Sequence, residues 1–125
     1  MNSYDIDGVI WLGKDCEGIY PGPRDVIITG RSWQEAEETV DMLNLRDIHN
    51  EIYFNSTRLL EKTRRDSGEH KANTIKWFKE RLNKEIRIHF DDDPLQAAII
   101  RERCPWVTVI ELKQDLVPLS PMEKW

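Results

Sequence analysis

The stretch IRIHFDDDP, residues 86–94, decides how this chain is read. Its first five residues predict a β-strand, and the strand runs directly into three aspartates and a proline. Asp93 suits the N-cap of a helix and Pro94 its first turn. That helix has to end by Pro105, and VTVI (107–110) predicts a further strand. Strand, acidic turn, helix, strand is the unit of a parallel α/β sheet, and such sheets bind ligands at the carboxyl ends of their strands.

The same pattern extends toward the N-terminus. DVIITG (25–30) predicts a buried strand, and Ser32 with Glu35 has the spacing of a capping box. Ala36, Val40 and Leu43 then recur at helical spacing. EIYF (51–54) predicts another strand. Residues 57–66 are expected to be a charged helical stretch broken around Ser67 and Gly68. A second helix, with Ile75, Phe78 and Leu82 on its apolar face, is expected from Lys71 to Leu82. Residues 1–10 predict a short strand leading into DIDG. Residues 11–24, rich in Gly and Pro, predict turns or a small flap. The tail from Lys113 is expected to be extended. The fold class is therefore α/β, three-layered and Rossmann-like, with a mainly parallel sheet and one domain over 1–125.

Three polar clusters fall at the expected strand ends: Asp5 and Asp7, Thr29 to Arg31, and Asp91 to Asp93. Asp5 and Asp7 are two residues apart, which on a strand points both to one side. Paired carboxylates can divide labour, one attacking and one moving protons. With Asp91 and Asp92 added, so much negative charge calls for a cation. Magnesium, which takes carboxylate oxygens and bridges to phosphate, is the natural choice. Lys71 places a positive charge beside a transferring group. Thr29 and the amides near Gly8 and Gly30 are candidates to hold its oxygens. Arg31 either pairs with a local carboxylate or contacts substrate.

These residues resemble the motifs of the haloacid dehalogenase superfamily of phosphohydrolases. DIDGVI (5–10) is similar to the first motif, VIITGR (26–31) to the second, HKANTI (70–75) to the third and IHFDDDP (88–94) to the fourth, in the family's order. The resemblance implies a small member of that fold without a cap domain, acting as a magnesium-dependent phosphatase. Asp5 would attack phosphorus, Asp7 would protonate the leaving group and then activate water, and Thr29 would bind a phosphoryl oxygen. Lys71 would steady Asp5 and the phosphate. The metal set is Asp5, Asp7, Asp91 and Asp92, with Asp92 the principal partner of Asp5 and Asp91 sharing its work. The substrate expected is a phosphorylated small molecule. The end of a nucleic acid is the second candidate, and a non-catalytic binding module the third.

The chain departs from the usual pattern in two strands. Asn2 and Ser3 precede Asp5 where an apolar run is usual. IRIHF alternates polar and apolar, so Arg87 and His89 must be partnered or exposed.

The chain carries 18 basic and 23 acidic residues, a formal charge of -5, which argues against holding polyanions by charge alone. No apolar run approaches the ~20 residues of a membrane span. The N-terminus lacks the basic start and apolar core of a signal peptide. Cys16 and Cys104 are expected as free thiols in a reducing cytoplasm. Oligomeric state is left open.

Overall fold

A computed structural model describes residues 1–13 and 16–113. The tail expected to be extended lies, beyond Lys113, outside the described residues.

Five strands form one parallel sheet: β1 (Asn2–Tyr4), β4 (Val26–Ser32), β5 (Ile52–Asn55), β6 (Ile88–Asp91) and β7 (Thr108–Glu111). The order across the sheet is β5-β4-β1-β6-β7, which puts β1 at the centre. The chain first builds outward through β4 and β5, then crosses back to add β6 and β7 on the other side. The switch in direction lies between β1 and β6, where a crevice opens at the carboxyl edge. Within the flap segment, β2 (Trp11–Gly13) and β3 (Cys16–Glu17) form a two-stranded antiparallel hairpin.

Alternation along β4 makes the layers. Val26 and Ile28 face a core closed by two helices, α2 (Arg64–Arg81) and α3 (Pro94–Arg103), through Ala72, Ile75, Phe78, Ala97 and Ile100. Ile27 faces the opposite core, with Tyr4, Ile6, Ile10 and Leu43. Leu43 belongs to α1 (Ala36–Asn44), so helices cover both faces. Cys104 is buried, and both cysteines are free thiols. Among the described residues, no helix is long and apolar enough to cross a membrane.

The expected strands are present with ends shifted by a few residues, but three local expectations change. First, β1 stops at Tyr4, so Asp5 to Asp7 do not continue the strand. The Ile6 carbonyl accepts the amides of Val9, Ile10 and Trp11, which turns the chain sharply. Second, residues 57–63 are not helical. Thr63, extended at φ -126 and ψ 169, caps α2 by accepting the Asp66 amide on its side chain. The helix then runs unbroken through Ser67 and Gly68. A Cβ on Gly68 would lie 2.9 Å from Ile99 Cδ1, and one on Gly30 would lie 2.8 Å from Ser67 Cβ. The small residues are there to let α2 approach α3 and β4; close packing offsets the ~1 kcal/mol that glycine costs a helix against alanine. Third, Val40 is 38% exposed, and Thr39 takes its place on the buried face of α1. Arg87 is exposed and His89 is buried, which resolves the alternation of IRIHF.

Candidate active site

Asp5 and Asp91 reach the carboxyl edge on neighbouring strands. β1 and β6 are paired with Ser3 opposite His89, and the Asp5 amide donates to the Phe90 carbonyl at 3.1 Å. Asp91 ends β6, and Asp93 caps α3 by accepting the amides of Leu95 and Gln96. The turn after β1 brings Asp7 to the same cavity, which has a volume of about 360 Å³ and is also lined by Gly30, Arg31, Lys62, Arg64, Lys71 and Asp92. This lies in the range of small-molecule sites, roughly 300–1,000 Å³.

The floor of the cavity is a buried ionic network. Lys71 comes from α2 and is 1% exposed. Its Nζ donates to Asp91 Oδ2 at 2.8 Å and to Gln96 Oε1, and lies 3.0 Å from Asp5 Oδ2. Those contacts use the three donors an ammonium has. Of the four basic residues near this point, His70, Lys71, Lys76 and Lys79, only Lys71 turns inward to the site. His70 rests on the Tyr53 carbonyl and Lys79 stands over the Trp106 ring.

Asp91 has a second partner. His89 Nε2 lies 2.9 Å from Asp91 Oδ2, and His89 Nδ1 lies 2.7 Å from the Ser3 hydroxyl. An acceptor-only carboxylate at Nε2 places the ring proton there, so the Ser3 hydroxyl donates to Nδ1. Ser3 and His89 were missed as contributors to the site. Their signal was a polar residue in each of two strands that should be apolar on both faces, and the pairing places them side by side.

The charges are unevenly shared. Burial alone would raise the Asp91 pKa, but Lys71 and His89 outweigh it and hold the carboxyl well below its usual range. Asp5 is pushed the other way, by burial first and then by Asp91, Asp7 and Asp92, with Lys71 opposing. Burial works against the Lys71 charge, yet Asp5 and Asp91 hold its pKa above the ordinary value. One lysine does not neutralise two buried carboxylates, and Asp91 has the larger share of it.

The residues fit a divalent cation. Asp5, Asp91 and Asp92 each offer a carboxylate oxygen, and these oxygens lie within 4.8 Å of one another. Asp5, Asp7, Asp92 and Asp93 line the cavity together with Arg31, Lys62, Arg64 and Lys71. An oxygen-only donor set is the kind magnesium takes.

Gly8 makes room for this set. Its φ of +82° is costly for other residues, and a Cβ there would lie 2.1 Å from Asp92 Cγ. Its amide donates to the Trp11 carbonyl. Thr29 is fully buried, with its Oγ1 accepting the Arg31 amide at 3.0 Å, one residue behind the cavity wall that Gly30 forms.

Of its two alternatives, Arg31 takes the local carboxylate. Its Nε and Nη2 donate to the two oxygens of Asp7 at 2.9 and 2.8 Å. Its Nη1 donates to Thr39 Oγ1, so a buried threonine on α1 aims the fork. The bond to Asp7 helps raise the Arg31 pKa against the burial that would lower it.

Fold and site together define an α/β protein with a five-stranded parallel sheet and a carboxylate cluster built around a buried lysine at its carboxyl edge. No family profile, no curated protein and no solved structure matches the chain.

Proposed function

We propose that this chain is a magnesium-dependent phosphohydrolase of the haloacid dehalogenase type, without a cap domain, that cleaves a phosphate monoester through an aspartyl-phosphate. The observation that carries the reading is the convergence of Asp5, Asp91 and Asp92 within 4.8 Å, with Lys71 between Asp5 and Asp91.

Asp5 is the nucleophile. Its Oδ1 accepts the Ile6 amide at 2.8 Å and its Oδ2 rests near Lys71, so the carboxylate is held toward the cavity. Attack forms a bond from an Asp5 oxygen to phosphorus and breaks the bond to the leaving oxygen. Asp7, on the same cavity, gives that oxygen a proton, then takes one from the water that attacks the aspartyl-phosphate. Phosphate leaves and Asp5 is regenerated. Before Asp7 donates, one arm of the Arg31 fork has to release it. Magnesium held by Asp5, Asp91 and Asp92 would draw charge from the phosphoryl oxygens. Lys71 adds positive charge beside Asp5, and Gly30 lines the same cavity.

The test is hydrolysis of a panel of phosphate esters with and without magnesium, for wild type and Asp5→Asn. Wild type is expected to turn over an aryl phosphate only with the metal. Asp5→Asn is expected to lose at least about 10⁴-fold, since an amide of the same shape is a poor nucleophile. Brief exposure of Asp7→Asn to the aryl phosphate is expected to leave a phosphoryl adduct on Asp5, visible by mass. Wild type inactive across the panel, with ligand binding untouched by Asp5→Asn, would establish a binding module instead.

A further inference from the structure

The cavity has a further set of lining residues. Besides Asp5 and Asp7 it is lined by Leu59, Lys62, Thr63 and Arg64, all from the turn that precedes α2 and its first residues. Between positions 57 and 65, TRLLEKTRR, the chain places Arg58, Lys62, Arg64 and Arg65 against the single acid Glu61. In a chain of net charge -5, this is a local reversal of sign, and four residues of the stretch line the cavity.

The cations are held in place. Lys62 Nζ lies 3.0 Å from Glu35 Oε2 with both side chains largely buried, and Arg64 forks onto Asp93 while its side chain stays 46% exposed. The turn is tied to the sheet edge as well, by Ser32 Oγ donating to the Thr57 carbonyl and by the Leu59 amide donating to Gln34 Oε1. Lys62 and Arg64 are thus fixed on the cavity wall, each held by a carboxylate, and the exposed Arg58 and Arg65 add positive field beside them.

We infer that the turn at 57–65 is a leaving-group subsite selecting phosphate esters whose leaving group carries a second phosphate. The inference rests on the phosphatase reading and adds the substrate class to it. Lys62 and Arg64 meet the second phosphate at the cavity wall; Arg58 and Arg65, both exposed, add to the attracting field. The second phosphate can come from a small bisphosphate or from the backbone of a nucleic-acid strand.

The experiment compares kcat/KM for matched pairs: a hexose monophosphate and its bisphosphate, a nucleoside 3'-monophosphate and its 3',5'-bisphosphate, and a 3'-phosphorylated tetranucleotide. The member of each pair that carries the second phosphate is expected to win by about 10- to 100-fold, the worth of one charge-assisted hydrogen bond. Arg64→Gln is expected to bring that ratio to within about twofold of unity. Arg58→Gln/Arg65→Gln is expected to flatten the salt dependence of kcat/KM for the substrates that carry the second phosphate. For the tetranucleotide, a log-log salt slope near -0.7 for each phosphate engaged identifies a strand as the source. A preference confined to the hexose and nucleoside pairs identifies a small bisphosphate. A second measurement needs no turnover: calorimetric binding of a methylene bisphosphonate against a monophosphonate, both with magnesium. Equal kcat/KM within each pair, or equal affinity for the two phosphonates, overturns the inference. An inactive wild type that still prefers the bisphosphonate overturns the phosphatase reading and keeps the subsite.

Discussion

The floor and the mouth of the cavity are built on opposite plans. At the floor, Asp5, Lys71, Asp91 and His89 are buried, come from three separate elements, and are each fixed by the others. At the mouth, Leu59, Thr63 and Arg64 are exposed and belong to one short turn tied down through Ser32, Gln34 and Glu35. Buried charge is tolerated only beside partners, so each floor residue depends on its neighbours in the network. A surface turn carries no such demand and can vary without unfolding the protein. On the proposed reading, the floor would carry the chemistry common to phosphate esters and the mouth the choice among them.

The contrast breaks first at Lys71. Lys71→Met removes one partner of a buried network and leaves Asp5 and Asp91 facing each other. It is expected to cost about 3–5 kcal/mol in urea unfolding without divalent ions. A loss under about 1 kcal/mol would mean the floor is not held by that lysine.

Gly8 lies where a left-handed turn meets the Asp5, Asp91 and Asp92 carboxylates. Gly8→Ala combines a positive φ with a Cβ pressed on Asp92. It is expected to cost about 1–3 kcal/mol and to weaken magnesium binding in calorimetry. Unchanged magnesium affinity would remove Asp92 from the metal set.

The mouth is expected to respond least. The capping box at Ser32 is formed, with Glu35 Oε2 accepting the Ser32 amide at 2.8 Å. Ser32→Ala loses the cap and the bond to Thr57, and is expected to cost about 1 kcal/mol in thermal melts. A cost equal to that of Lys71→Met would erase the distinction between the two regions.

Much of the frame was legible in the chain itself. Period-2 and period-3.6 patterns report which face of a segment is buried, so the strands, the capping box, the cap at Asp93 and the order of polar clusters could be read locally. Asp91 at the end of β6 and Asp5 just past the end of the adjacent β1 followed from that order. Local patterns misled where small residues were read as breaks: Ser67 and Gly68 signal close packing only once α3 and β4 are beside them.

What only the tertiary structure decided is who partners whom. Ser3 and His89 are 86 residues apart, and their contact depends on the register of β1 with β6. Asp91 and Asp92 are identical neighbours in sequence. Strand alternation sends Asp91 to Lys71 and His89 inside, while Asp92 lies at the cavity beside Gly8. Arg31 likewise had two readings until packing of α1 set Thr39 behind it and turned its fork to Asp7. Sequence encodes local faces through short-range periodicity. Pairing of charges across the sheet depends on distances that arise only when separate elements close on one core.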